Sequence, residues 1–163
     1  MDKELLTLLN IIIELLGVIA IVSIISYVLN AIGLYHVLKR QGYKNPWFAW
    51  IPILNTLGLC MASQDENGNI RIFGKDMDAG LFTCIQVISP FVLMFIPGIG
   101  GVLSLIIHIL FMGRVLHITY VRMEGVSENE KKVIAYISSV VSIITVVKFL
   151  IYCVKDSKSE TLA

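Results

Sequence analysis

The stretch LLTLLNIIIELLGVIAIVSIISYVLNAIGLYHVL, residues 5–38, decides the fold. Glu14 is its only formal charge, and as one helix it would be about 50 Å long at roughly 1.5 Å per residue. Because the hydrocarbon core of a bilayer is about 30 Å thick, a helix of this length must tilt, protrude or bend onto the surface. The cleanest spanning window is residues 15–34, which leaves Glu14 at one membrane boundary.

The composition of the chain also indicates that lipid, rather than water, surrounds most of it. Of its 163 residues 56% are hydrophobic and 15% are charged, whereas soluble domains average about 45–50% apolar and about 25% charged residues. The formal net charge of +1 gives no basic surface for nucleic acid. The cysteines (Cys60, Cys84, Cys153) are odd in number and widely spaced, so we expect buried free thiols. The length suits one integral membrane domain, residues 1–163.

Three further apolar stretches have the length of membrane-spanning helices: 81–96, 102–121 and 132–154. The first two are joined by a Pro- and Gly-rich turn and form a predicted helical hairpin. The polar segment 64–78 must lie in water as a loop or small hairpin, with Asn67-Gly68 as its turn signal. The sequence therefore predicts an all-α membrane protein with four transmembrane helices.

A shorter apolar segment, residues 47–62, is interrupted by Pro52 and Asn55. If this segment returns to the side it left, the nine cations from Lys39 to Lys132 share one face, and if it spans, the cations are divided five to seven. The positive-inside rule favours the first arrangement. We therefore expect a Pro-broken re-entrant or partly inserted helix in the plasma membrane, with both termini extracytoplasmic, and the spanning arrangement stays as the alternative.

The segment GYKNPWFAWIPILN, residues 42–55, follows a helix that ends in Lys39-Arg40. A basic helix end, a Gly/Pro turn with Trp, and Ile-Pro-x-x-Asn resemble a pattern in small uncharacterised prokaryotic multi-pass membrane proteins with a domain of unknown function. The resemblance covers residues 30–60 and extends weakly to residue 123. It implies a prokaryotic membrane protein and brings no catalytic residue to this chain.

Two predicted helices carry stripes of small and polar residues at three- and four-residue steps. In lipid such residues let helices approach closely and bond to one another, so both stripes are predicted packing seams, with a pore lining as the alternative. Whether they face each other or a second copy stays open. The first stripe is Ala20, Ser23, Ser26, Asn30 and Gly33, and the second is Ala135, Ser138, Ser139, Ser142 and Thr145.

Polar or ionisable residues within apolar helices are candidate functional or packing positions. These candidates are Glu14, Asn30, Asn55, His108, Arg114 and His117. Arg114 could reach phosphate headgroups, and we expect Arg122 to meet Asp76 or Asp78. The expected lipid-interface anchors, which could meet anionic lipid, are Lys39, Arg40, Lys44, Trp47 and Trp50.

No sequence motif of hydrolases, metalloproteases or P-loop proteins is present. A metal site of His36, His117 and Cys60 is conceivable, but we expect no metal and no cofactor. The sequence therefore favours a non-enzymatic membrane subunit or scaffold that binds a membrane partner or itself through the polar seams. The alternative is a small oligomeric channel or transporter for ions or small solutes, and an intramembrane enzyme ranks third.

Overall fold

The apolar N-terminal stretch forms one continuous helix, α1, over Lys3–Arg40. The computed structural model describes the backbone of residues 3–127 and 129–160, and side chains up to residue 155. Every α1 residue from 4 to 25 is exposed, and only the C-terminal third of the helix packs, through Leu34, Val37 and Leu38. The core of the molecule therefore lies at one end of α1.

The segment after α1 folds back on itself. A 3₁₀ turn, Pro46–Trp50, leads to α2, Leu54–Ser63. Residues 41–44, 61–62 and 64–66 line the same surface pocket together with Arg122, so the two ends of the segment lie side by side. Asn55 lies where the folded-back segment reverses direction, away from this surface pocket.

A small hairpin of two antiparallel strands follows, β1 over Asn69–Ile72 and β2 over Lys75–Asp78. Its turn is Phe73-Gly74, with φ values of 50° and 77°, the positive values that a tight two-residue hairpin turn requires. The predicted turn signal Asn67-Gly68 instead precedes β1. The sequence predicted a loop or small hairpin within 64–78, and a hairpin forms. The Phe73-Gly74 turn, rather than Asn67-Gly68, sets its register.

Two helices form the predicted helical hairpin: α3, Ala79–Leu93, and α4, Gly100–Glu124. The Asp78 carboxylate caps α3 by accepting from the Leu81 N–H at 3.0 Å, and Gly125 ends α4 in the left-handed conformation. The α3 helix has 15 residues and contains Pro90. It is thus shorter than the roughly 20 residues of a typical spanning helix.

The predicted fourth span, residues 132–154, is wrong as a single helix. It is divided at Val141 into α5, Lys132–Val140, and α6, Ser142–Glu160. Glu124 contacts the Nζ atoms of Lys131 at 2.7 Å and Lys148 at 2.5 Å, although a straight helix would separate these positions by about 25 Å. The α5–α6 pair therefore turns back toward its own start.

Several cations lie together at one end of the molecule, near the ends of α1 and α4. The Arg40 guanidinium lies 5.0 Å from the centre of the Tyr152 ring, so the described end of α6 is near the end of α1. The predicted fourth span would have put Tyr152 opposite Arg40, and the fold of α6 corrects this. The termini themselves, residues 1–2 and 161–163, lie outside the described residues. We call the end that holds Arg40, Lys44, Arg122, Lys131 and Lys148 the basic end.

The described chain is mostly helical, and two of its helices, α1 and α4, are long and apolar enough to cross a membrane. The four-span prediction is reduced to these two on length, because α3 is short and residues 132–154 are broken. Buried side chains from all six α-helices, the 3₁₀ turn and β1 form the core beside the basic end. The largest are Leu38, Ile70, Phe82, Leu116, Tyr120 and Phe149.

Candidate functional site: a polar cavity between two broken elements

The two polar stripes predicted from the sequence lie against each other. Gly33 of α1 is so close to Phe149 of α6 that a Cβ atom on Gly33 would lie 2.6 Å from the Phe149 Cβ. Such an approach needs a residue without a side chain on one helix. The packed end of the first stripe therefore faces the second stripe within the same chain.

Farther from the basic end the stripes separate and border a partly open polar cavity of about 440 Å³. Side chains of α1, α2, α4, α5 and α6 line it. The polar groups on its walls include Ser26, Asn30, Asn55, His108, Ser139 and Ser142. Three of the six residues singled out from the sequence (Asn30, Asn55 and His108) thus meet at one place.

The first broken element brings Asn55 to this cavity. The Tyr27 hydroxyl of α1 donates to the Trp50 carbonyl at 2.9 Å and holds the 3₁₀ turn against α1. Ile53 then has a φ of 69°, which is rare for a β-branched residue and reverses the chain into α2. The Asn55 side-chain oxygen accepts from the Thr56 hydroxyl at 3.2 Å. The reversal therefore ends in two polar side chains on the cavity wall.

The second broken element is the junction of α5 and α6. The last carbonyls of a helix lack partners within it, and burying them unpaired would be costly. Here the Thr145 hydroxyl donates to the Ser138 carbonyl at 3.2 Å, and His108 Nε2 lies 3.1 Å from the Ser139 carbonyl oxygen. Side chains from neighbouring helices therefore replace the missing helical hydrogen bonds at the break.

The hydrogen bonds of His108 join α3 to the break between α5 and α6. Its Nε2 must carry a proton because the Ser139 carbonyl only accepts. Its Nδ1 accepts from the side-chain nitrogen of Gln86, 2.6 Å away. The Gln86 side-chain oxygen is left buried without a partner among the described residues.

The other sequence candidates lie outside the cavity. Arg114 donates to the Arg71 carbonyl at 2.8 Å and to His117 Nδ1 at 2.9 Å, beneath the β-hairpin. Glu14 is exposed on the unpacked half of α1. The five predicted interface anchors (Lys39, Arg40, Lys44, Trp47 and Trp50) are all exposed near the basic end or on the 3₁₀ turn.

Two finer expectations need correction. Arg122 does not meet Asp76 or Asp78, because its guanidinium donates to the carbonyls of Ala62 and, at 2.8 Å, Gln64. The three cysteines are free thiols as expected, but only Cys60 is buried, while Cys84 is exposed and Cys153 is half-buried. The contacts of Arg122 arise because α2 ends beside α4.

Charged residues at the basic end form a second polar cluster that the sequence did not identify. Glu124 joins Lys131, which precedes α5, to Lys148 on α6. The hydrogen bond and the charge of Glu124 raise the pKa of Lys131 above its ordinary value. The cluster therefore fastens the start of α5 and the second turn of α6 to the end of α4.

Gln86 is the other residue that sequence reasoning passed over as a site. It is a single amide within the apolar helix α3, and that isolation was the available signal. Within residues 3–127 and 129–155, His, Cys, Asp and Glu side chains nowhere gather in threes that could hold a metal ion. The conceived site of His36, His117 and Cys60 is therefore not brought together.

No known family model matches this chain. The search of curated proteins and the search of solved structures also found no match. The geometry of the cavity and of its broken helices thus stands as the basis for assigning a function.

Proposed function

We propose that this chain is a non-enzymatic integral membrane subunit that binds a membrane partner, or a second copy of itself, through the polar stripe of α1. One observation carries the proposal: a single face of α1 passes from covered to uncovered. Gly33 is buried against Phe149, Asn30 lines the cavity with Ser23 at its exposed edge, and Ala20 is exposed.

The uncovered part of this stripe suits another helix. Gly17 continues it by one more step, and a Cβ atom at Gly17 would meet no other atom within 4 Å. Small residues on a lipid-facing surface gain nothing from lipid but allow a second backbone to come close. The same feature that packs α1 on α6 is therefore available to a partner farther along α1.

The proposed arrangement in the membrane has α1 and α4, the two helices of sufficient length, crossing a plasma membrane, with the shorter α3 packed beside α4. The 3₁₀–α2 segment and the α5–α6 pair enter from the basic end and return to it. Irregular backbone at membrane depth needs polar partners, and the contacts of Tyr27, Thr145 and His108 with the broken segments supply them. The cation excess then makes the basic end cytoplasmic and the start of α1 extracytoplasmic.

The sequence resemblance of residues 30–60 adds to this proposal. Its Gly/Pro turn, Trp and Ile-Pro-x-x-Asn form the reversal that ends at Asn55. We propose that the small prokaryotic membrane proteins with this pattern use it as a membrane-inserted hairpin. Lys39, Lys44 and Trp47 would then anchor the hairpin at the cytoplasmic surface beside anionic lipid.

Association in the membrane tests the proposed function. Full-length chains labelled for energy transfer would be measured in vesicles, and partners captured in cells by crosslinking. Replacing Gly17 and Ser23 with leucine should abolish association, whereas the matched replacement of Val18 with leucine should leave it unchanged. A chain that stays monomeric and captures no partner in cells, or associates equally well with both substitutions, would refute the proposal.

A second candidate is a small-solute channel or transporter. Two discontinuous elements end at the same polar cavity, and such elements often form the substrate sites of transporters. Flux of ions and small neutral solutes into liposomes would measure it. Flux that depends on Asn55 and Ser139 would favour transport, and its absence with correctly inserted protein would remove this candidate.

A further inference from the structure

A second cavity, of about 330 Å³, lies beneath the β-hairpin, well separated in the chain from the polar stripe of α1. Its walls come from β1 and β2, the end of α2 and the last turns of α4. Its charged or ionisable groups are Asp65, Arg71, Asp76, Arg114, His117 and Arg122. The proposed association through α1 uses none of these residues.

The two α4 arginines are held in place by groups that do not neutralise them. Arg114 donates to the Arg71 carbonyl and to His117, and Arg122 donates to two carbonyls at the end of α2. In the described part of the chain, neither arginine has a carboxylate within 4.0 Å. Both guanidinium groups are therefore fixed in direction while keeping their full charge.

The carboxylates of this cavity are occupied elsewhere or only weakly paired. One oxygen of Asp65 accepts the backbone N–H groups of Asn67 and Asn69, at 3.0 and 2.8 Å. Asp76 is 3.7 Å from Arg71, and both side chains are more than half exposed, so solvent screens this pair. Three arginines against two carboxylates leave the cavity positive.

We infer that this cavity binds a phosphate group, carried either by a phospholipid or by a soluble phosphorylated compound. A guanidinium has five N–H donors, and the contacts of Arg114 and Arg122 each use two of them, so three on each arginine remain for phosphate oxygens. Buried His117 and Ser63, 3% and 2% exposed, form the inner wall, so a phosphate would enter from the hairpin side. The volume leaves room for part of the molecule that carries the phosphate.

The test titrates the purified full-length chain in neutral detergent with three probes. These are short-chain phosphatidic acid, the matching diacylglycerol without phosphate, and inorganic phosphate. Calorimetry should detect phosphatidic acid and not diacylglycerol. Displacement of phosphatidic acid by inorganic phosphate would identify a soluble phosphate as sufficient, whereas binding of the lipid alone would identify the headgroup source.

Substitutions then locate the binding. Arg122→Gln changes an exposed side chain and should weaken phosphatidic acid binding roughly ten- to a hundredfold, the loss expected for charged hydrogen bonds. Arg114→Lys keeps the charge but loses the fork, and should weaken binding less. Lys75→Gln is the control: it removes one positive charge from the hairpin that covers the cavity, at a position that does not line the cavity. It should leave phosphatidic acid binding unchanged.

Thermal unfolding of each variant would verify the fold. The inference is overturned if no phosphate probe binds the wild-type chain. It is also overturned if folded Arg122→Gln binds as tightly as the wild type, or if Lys75→Gln weakens binding as much as Arg122→Gln. Because association through Gly17 and Ser23 is measured separately, failure of one proposal leaves the other intact.

Discussion

Gly33 and Phe149 are in such close contact that no other residue type fits at position 33 without movement, since a Cβ atom there would lie 2.6 Å from the Phe149 Cβ and 3.2 Å from its carbonyl carbon. This contact joins α1 to α6 and closes one end of the polar cavity.

Gly33→Ala should destabilise the fold by about 1–3 kcal/mol, the usual cost of overpacking a well-filled site. Gly17→Ala is the matched control on the same helix, because its added methyl group meets open space. It should leave stability unchanged or raise it by up to about 1 kcal/mol, since alanine favours helix. Unfolding in denaturant would compare the two, and equal effects would contradict the α1–α6 contact.

A chemical crosslink can test the reversal of α5 and α6. Lys131 and Lys148 both reach Glu124, so a short amine-reactive reagent should join them. In one straight helix the two lysines would be about 25 Å apart and beyond its reach. Mass spectrometry of digested protein should find the linked peptides, and Lys148→Arg should abolish them. Failure to link the wild-type lysines would support a single continuous helix.

The bond between Gln86 and His108 should appear as coupling in a double-mutant cycle. Each of Gln86→Leu and His108→Leu should cost about 1–3 kcal/mol, because each leaves a buried polar partner unpaired. The double variant should cost less than the sum by at least about 0.5 kcal/mol. Thr7→Ala, on the exposed and unpacked half of α1, serves as an uncoupled control. If the effects of Gln86→Leu and His108→Leu were strictly additive, Gln86 and His108 would not interact.

The pair of Lys131 and Glu124 predicts a loss of stability at high pH. The pKa of Lys131 is higher in the folded chain than its ordinary value of 10.5. Its contribution is therefore fully present below that value and is lost as the pH rises through the raised pKa. The wild type should melt at a higher temperature than Lys131→Met at neutral pH, and this difference should shrink above pH 10.5. Lys132→Met is the control, and a pH-independent difference for Lys131→Met would contradict the pair.

Hydropathy was sufficient to predict α1, the α3–α4 hairpin and the existence of polar seams, because these depend on local composition. It could not predict the break at Val141, where valine and serine neighbours give no helix-stop signal. That break is stabilised by Thr145 and His108, which are tertiary contacts. The hairpin turn was misplaced for a similar reason, since Phe73 has a left-handed conformation that its residue type does not favour.

The candidate site was predicted in part. Asn30, Asn55 and His108 were singled out one by one, and the structure brings them to one cavity. Their convergence depends on the reversals at Ile53 and Val141, which a linear pattern does not specify. Arg114 and His117 were expected as separate polar residues in an apolar helix, and the β-hairpin places them in a different cavity.

The attachment of Lys148 to Glu124 has a consequence for how the protein is made. During synthesis Glu124 leaves the ribosome before Lys148 does, so the carboxylate is already present when the second lysine emerges. The attachment of α6 to α4 can therefore form only after residue 148 has emerged, and a nascent chain that ends before Lys148 lacks it.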